Sequence, residues 1–200
     1  MIVAIVLSAG ESSRMGSPKA LLPLEGKSFI ERIVAGFKAS KVGKIIVVLG
    51  HNADVLRGKI EHLPVTIVVN RDYAKGQLSS LTTAIRSLQM EGESSVIEAV
   101  LVHLVDHPFL DPALVDEMID QFYESKKLIV RPCFGARGGH PVLFSSRLFP
   151  ELLAAPLDQG AKAVVYAHRE EMLEIPTEDE GVVIDIDTQD EYRTRLERSR

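Results

Sequence analysis

Six consecutive apolar residues, Ile2 to Leu7, run without a polar residue at any alternate position. A strand with one wet face would alternate, so an unbroken run fits a strand covered on both faces, the central strand of a parallel sheet. Similar runs recur at Lys44 to Gly50 (KIIVVLG), Val65 to Asn70 (VTIVVN) and within Val96 to Val105 (AVLVHLV). Helical patterns separate them. From Ser28 to Lys41 the residues Ile30, Ile33, Val34 and Phe37 fall at helical spacing, and Ser28 with Glu31 reads as a capping box. Ala53 to His62, a segment opening at Gly76 and running to about Met90, and Pro112 to Glu124 follow the same logic. Buried strands alternating with helices predict a doubly wound, mostly parallel sheet.

The first strand runs into a loop of different character. Ser8, Gly10, Ser12, Ser13, Gly16 and Ser17 are small, and Arg14 and Lys19 are set among them, with Pro18 stiffening the chain just before Lys19. Backbone N–H groups approach an anion closely only where no side chain intervenes, which gives Gly10 and Gly16 a purpose in a phosphate-holding loop. Two better-known phosphate loops are excluded by spacing. Gly10 and Gly16 have five residues between them and Lys19 comes three after Gly16, which is not Walker A. No Gly-x-Gly-x-x-Gly follows the strand either. An ordinary connection with two solvent-facing cations is the alternative.

A net charge of −5 argues against a general nucleic-acid or anionic-membrane surface, while leaving room for a local cationic pocket. Cys133 is the single cysteine, so no internal disulfide forms, and a reducing cytoplasm is the expected home. The opening apolar run is too short to span a membrane and lacks a charged leader. Neither a domain boundary nor a repeat is evident, so residues 1–200 read as one domain.

The fourth apolar run leads directly into Asp106-His107-Pro108. Open α/β sheets place ligands at the carboxyl ends of their strands, and a carboxylate there beside a phosphate loop suggests a Mg²⁺ ligand. Capping of a turn, or of the helix from Pro112, is the other reading of Asp106. Asn70 followed by Gly76-Gln77-Leu78-Ser79-Ser80 opens a helix whose free N–H donors suit a base, a ribose or a phosphate. Taken alone, capping by Ser79 or Ser80 with no ligand is slightly the better reading. His103 and His107 stand at i, i+4, but an extended strand would separate their Cα atoms by roughly 13 Å, too far for shared zinc. His103 therefore reads as a core or interface residue.

From Arg131 to Pro141 the rhythm breaks into turn formers carrying Arg131, Arg137 and His140. Residues 131–160 are expected to form a hairpin or flap on the acceptor side of a site, or else a structural hairpin with surface arginines. Val182 to Asp187 reads as a last strand that puts Asp185 and Asp187 on one face. Asp187 is then a candidate second metal ligand and Asp185 a structural acid. Thr188, Asp190 and Glu191 cap a closing helix.

Taken in order, Leu7-Ser8-Ala9-Gly10, Arg14, Gly16 and Pro18-Lys19 resemble the signature of nucleotidyltransferases that activate a phosphorylated acceptor with an NTP. Asn70 with Gly76-x-x-Ser79-Ser80-Leu81, Asp106-x-Pro108, Gly138-Gly139-His140-Pro141 and Asp185-Ile186-Asp187-Thr188 are similar to the later blocks of the MobA-like branch. The resemblance extends from Ile2 to Tyr192 and is strongest to the MocA type, the molybdenum cofactor cytidylyltransferases. Ala9-Gly10, where guanylyl-transferring members usually carry a glycine pair, and the absence of Gly-Pro-Leu in the second block favour that type. Doubled Gly138-Gly139 and Gln189 in place of a proline depart from its pattern.

The resemblance implies a Rossmann-like α/β fold with helices on both faces, of the nucleotide-diphospho-sugar transferase type. It implies Mg²⁺-dependent transfer of CMP from CTP to the phosphate of molybdopterin or its molybdenum form, releasing pyrophosphate. Arg14, Lys19 and Asp106 would be catalytic, and Ser8, Ala9, Gly10, Arg14, Lys19, Asn70, Gly76 and Ser80 would bind nucleotide. Asp106 and Asp187 would hold the metal, and Arg137 and His140 the acceptor. A molybdoenzyme is a possible protein partner. Rival readings are transfer to a sugar or polyol phosphate, a GTP-using guanylyltransferase, or a non-catalytic nucleotide-binding accessory protein of a molybdoenzyme.

Overall fold

The computed structural model describes residues 1–90 and 96–198. Strand β1 is Ile2–Ser8, followed by the short antiparallel pair β2 (Pro23–Leu24) and β3 (Lys27–Ser28) and by helix α1 (Phe29–Lys38). Then come β4 (Lys44–Leu49), α2 (Ala53–Ile60), β5 (Thr66–Val69), α3 (Gln77–Met90), β6 (Ala99–Leu104) and α4 (Pro112–Ser125). The second half adds β7 (Ile129–Phe134), β8 (Arg137–Gly138), β9 (Val142–Ser145), α5 (Phe149–Ala154), α6 (Lys162–Ala167), β10 (Met172–Pro176) and α7 (Gln189–Arg198).

The main sheet runs β10-β7-β9-β6-β1-β4-β5, with β8 paired to β7. All neighbours along that path are parallel except at β9, which is antiparallel to both β6 and β7. β1 is completely buried, as its unbroken apolar run requires. Its residues serve two cores in alternation. Ile2, Ala4 and Val6 pack with Ile30, Phe37, Leu56 and Met118 of α1, α2 and α4. Val3, Ile5 and Leu7 pack on the other face with Leu81, Ile85, Leu88 and Leu152 of α3 and α5. Doubly wound architecture is the direct consequence, because each face of the sheet buries its own layer of helices.

The chain moves from β1 to β4 and β5 on one side, then returns to place β6 on the other. Strand order therefore reverses at β1, and the carboxyl ends of β1 and β6 lie side by side at that switch point. Gly50, just past β4, closes the same end: a Cβ there would stand 2.5 Å from Cβ of Tyr73 and 2.7 Å from the Ala9 carbonyl oxygen. The capping box expected at α1 is present, with Glu31 Oε2 accepting from the Ser28 N–H at 2.6 Å.

Two expectations are corrected. Val182 to Asp187 is not a strand: Glu180–Val183 forms a 3-10 turn and the chain continues irregularly into α7. Its carbonyls are taken singly by the β7–β8–β9 region, Val182 by the His140 N–H at 2.8 Å and Val183 by the Arg137 guanidinium at 3.1 Å, so no ladder forms. The strand assumed to carry both His103 and His107 ends at Leu104, where the His107 N–H closes a turn onto the Leu104 carbonyl at 3.1 Å. The two rings consequently lie 6.3 Å apart.

Candidate active site

The loop after β1 is fixed from beneath. It makes 3-10 turns at Ser13–Met15 and Lys19–Leu21, and buried Met15 anchors the first of them. Ser12 and Gly16 take the left-handed region at φ 52° and 67°, a conformation that glycine tolerates freely. The Lys19 N–H donates to Ser12 Oγ at 3.2 Å, and Gln189 Nε2 donates to the Met15 carbonyl at 3.1 Å. The departure at Gln189 thus has a use, tying the start of α7 to the loop. At Gly10 a Cβ would meet no protein atom within 4 Å, so its bareness serves the open space above the loop and not the packing.

Four charged side chains converge here. Lys19 Nζ donates to Asp106 Oδ2 at 3.2 Å and to Asp187 Oδ1, and Arg14 Nη2 donates to Asp187 Oδ2 at 3.0 Å. Lys19 is 11% exposed along its side chain and Arg14 68%. The Lys19 hydrogen bond, helped by the Arg14 charge, holds the Asp187 carboxyl below its usual range despite partial burial. Asp106 follows β6, and Asp187 is brought opposite by a small core of Leu24, Phe29 and Ile186, with the Ile186 N–H donating to the Asp106 carbonyl at 2.9 Å. Glu191 accepts from the N–H groups of Asp187 and Thr188, fixing the helix start behind them. Asp185 is exposed and outside the cavity that these residues line.

That cavity holds about 270 Å³ and is lined by Ser8, Gly10, Arg14, Lys19, Asp106 and Asp187 among others. Asp106 caps no helix: Asp111 is the N-cap of α4, accepting from the Ala113 N–H at 2.9 Å. Asp106 Oδ1 is buried without a hydrogen-bond partner, an orphaned carboxylate oxygen that a hard cation would satisfy. Two carboxylates facing two cations suit a divalent ion together with a polyphosphate, since Mg²⁺ is usually held by one or two carboxylates plus phosphate oxygens. Among the described residues no group of three or more His, Cys, Asp or Glu is arranged to hold an ion by itself.

The expected nucleotide contacts divide. Gly76 and Ser80 line the cavity with Ala9, but Asn70 does not. Asn70 Nδ2 donates to Ser79 Oγ at 2.8 Å and Ser80 Oγ at 3.0 Å, while its Oδ1 accepts from the Asp72 N–H at 2.9 Å. Asn70 therefore shapes the start of α3. His51, Asn52, Tyr73 and Gln77 also line the cavity and were not singled out from the sequence. The signal for the first two was Gly50 closing a strand adjacent to β1, a carboxyl end at the same edge.

On the acceptor side the two expected residues separate. Arg137 is exposed, donates to the Val183 carbonyl and lines neither this cavity nor its neighbour. The hairpin is built into the main sheet through β9, and the second of its paired glycines is explained: a Cβ at Gly139 would stand 2.6 Å from the Val182 carbonyl oxygen. His140 turns inward, its ring 4.7 Å from that of His107 and 6.3 Å from that of His103. His103 is fully buried, as expected, and its Nε2 donates to the His107 carbonyl at 2.8 Å. A carbonyl only accepts, so that nitrogen carries the ring proton.

Burial pushes His103 well below its ordinary value of 6.5, with the His140 charge adding to it, and pushes His140 down to about 4. Both are neutral in the folded chain while the unfolded chain protonates below about 6.5. The unfolded state then binds more protons, so stability falls as pH is lowered through 6.5 toward 4, by up to about 1.4 kcal/mol per pH unit for each imidazole. Asp187 works below this window, because its lowered carboxyl stays ionised throughout it. Urea midpoints are expected to decline steadily from pH 6.5 to 4, and less steeply in His103→Gln. A flat profile would remove the buried neutral histidines as the cause.

A family model described as the MobA-like NTP transferase domain matches residues 4–172. The molybdenum cofactor cytidylyltransferase of Escherichia coli is 26% identical over 98% of this chain and 96% of its own length. The nicotine blue oxidoreductase of Paenarthrobacter nicotinovorans is 27% identical over 94% and 92%. Among solved structures, Rv0371c of Mycobacterium tuberculosis in complex with manganese superposes with a TM-score of 0.79 at 27% identity, covering 98% of both chains.

Proposed function

This chain belongs to the MobA-like NTP transferase family, and from that premise we propose that it transfers CMP from CTP to the phosphate of molybdopterin or its molybdenum form, releasing pyrophosphate. One observation carries the reading: Lys19, Arg14, Asp106 and Asp187 converge on one cavity at the switch point of the sheet. One relative of similar identity is named as an oxidoreductase, so overall similarity does not decide the chemistry and that cluster has to.

The acceptor phosphate is already an anionic nucleophile at neutral pH, so no general base has to create one. Catalysis reduces to alignment and to neutralising charge on the α-phosphate and the departing pyrophosphate. Lys19, little exposed and hydrogen-bonded to two carboxylates, would meet the α-phosphate, and the more exposed Arg14 the outer phosphates. The Ala9–Gly10 backbone, with Ser8 beside it, supplies N–H donors for phosphate and ribose. Gly76 and Ser80 lie where base or ribose would be read. Asp106 and Asp187 would hold the Mg²⁺ ion, which when bound supplies further neutralisation of the phosphate oxygens. Manganese in the Mycobacterium tuberculosis relative supports a divalent ion in this family. Ala9-Gly10 in the first loop and the near-full-length Escherichia coli relative support CTP and the molybdenum cofactor.

Pyrophosphate release measured with CTP, GTP, ATP and UTP, each with and without molybdopterin, tests this reading. Release is expected with CTP and molybdopterin together. Turnover with GTP and not CTP would overturn the nucleotide, and turnover only with a sugar phosphate would overturn the acceptor.

A further inference from the structure

His103 sits where the fold asks for a hydrocarbon side chain. Along β6 it follows Ala99 and Leu101 on the face that packs against α1 and α4, and it is completely buried there, with the Phe37 ring edge-on at 5.7 Å. Burial keeps the ring neutral, so it carries a single proton, on Nε2. Nδ1 is then a bare acceptor, buried and without a hydrogen-bond partner among the described residues. A leucine here would avoid that orphaned atom. What a leucine could not do is reach four residues along the chain, as His103 does when Nε2 donates to the His107 carbonyl at 2.8 Å.

That carbonyl belongs to the turn from which Asp106 projects. Before Asp106, the Val105 N–H donates to the Leu7 carbonyl at 3.1 Å, and the Asp106 carbonyl accepts from the Ile186 N–H at 2.9 Å. After it, the His107 N–H donates to the Leu104 carbonyl at 3.1 Å. Pro108 has no N–H with which to extend the pattern. The far end of the turn is therefore held by the His103 ring, the one anchor in this set that a side chain supplies. Asp106 Oδ1 has no hydrogen bond of its own, so its direction comes from the backbone beneath it and from Lys19 on Oδ2.

Resting on the reading of Asp106 as a metal ligand, we propose that His103 is a positioning residue for the reaction: its Nε2–H holds the Asp106–His107 peptide so that Oδ1 is aimed where a divalent ion is taken up. His103 does not line the cavity, touches neither ion nor nucleotide, and moves no proton. Its hydrogen bond runs from the core to the backbone of the turn. The rotation it prevents there would swing the carboxylate out of line with Asp187, and a metal site tolerates little such error.

Amide side chains separate the hydrogen bond from the bulk of the ring. Counted in bonds from Cα, glutamine Nε2 stands where histidine Nε2 does, and asparagine Nδ2 falls one bond short. His103→Leu and His103→Asn are expected to weaken manganese binding, followed by electron paramagnetic resonance, by about 10- to 100-fold, with His103→Gln restoring most of it. In the metal-free protein the carboxyl carbon resonance of Asp106 should move in the first two variants and return in the third. CTP affinity without metal should stay as it is in all three. Added to Asp106→Asn, His103→Leu should cost manganese nothing more, because the carboxylate that carries the effect is already gone. An unmoved Asp106 resonance, no recovery in His103→Gln, or a further loss on top of Asp106→Asn would each overturn the positioning role. So would manganese affinity that survives His103→Leu and His103→Asn while Asp106→Asn loses it. CTP affinity and urea midpoint falling together with manganese in every variant would make His103 a packing residue and overturn the role as well. A resonance that moves as expected, with manganese binding intact in Asp106→Asn, keeps the hold of His103 on Asp106 and overturns Asp106 as a metal ligand.

Discussion

Replacing Asp106 with asparagine is expected to lower pyrophosphate release on the order of 10³-fold while leaving the unfolding midpoint nearly unchanged. The two halves of that expectation come from the two oxygens. Oδ2 shares Lys19 with Asp187, so the Lys19 ammonium keeps an ionic partner when Asp106 loses its charge. Oδ1 is buried and unpartnered, so the folded protein alone gains nothing from it. An oxygen that costs stability and contributes none is retained for something the protein binds. Manganese binding followed by electron paramagnetic resonance should weaken in parallel with turnover. Unchanged turnover in Asp106→Asn would sink the metal assignment, and a large fall in midpoint would mean that the carboxylate is structural.

The strands were legible because a parallel sheet buries both faces, and burial on both faces leaves unbroken apolar runs. Ile2 to Leu7, Lys44 to Leu49 and Ala99 to Leu104 are such runs, and their order with the intervening helices implies a doubly wound sheet. Asp106 was legible for the same reason, as the first acid beyond a buried strand. The segment Val182 to Asp187 misled because apolar alternation records which residues are buried, not which partners their backbone has. Ile186 is buried and Asp185 is not, as a strand would have it, yet the covering comes from β2, α1 and α7 and the carbonyls go to the hairpin. Asn70 was read as a contact to nucleotide because its type and place suit one. Its amide is consumed by Ser79 and Ser80, a pairing that exists only once α3 has docked.

Lys19→Met is expected to change two affinities in opposite directions. In the resting protein Lys19 stands between the two carboxylates, hydrogen-bonded to both, and so occupies the place that a divalent ion would neutralise. Triphosphate and ion together would allow an exchange of partners, with Lys19 passing from carboxylate to phosphate as the carboxylates pass from Lys19 to the ion. Without Lys19 only Arg14 is left to offset the two carboxylates, so manganese should bind roughly tenfold more tightly in the absence of nucleotide. The triphosphate should bind roughly tenfold or more weakly, because a buried, charge-assisted contact is gone. The Asp187 carboxyl should return toward its ordinary range, since the Lys19 hydrogen bond is the largest cause of its lowering. Arg14→Met supplies the contrast: Arg14 is mostly exposed and its one ion pair among the described residues is with Asp187, so manganese affinity should move far less. Calorimetric titration of each variant with manganese alone, and then with CTP, separates these effects. Weakening of both ligands in Lys19→Met would mean that the lysine merely organises the pocket, and the exchange of partners would have to be abandoned.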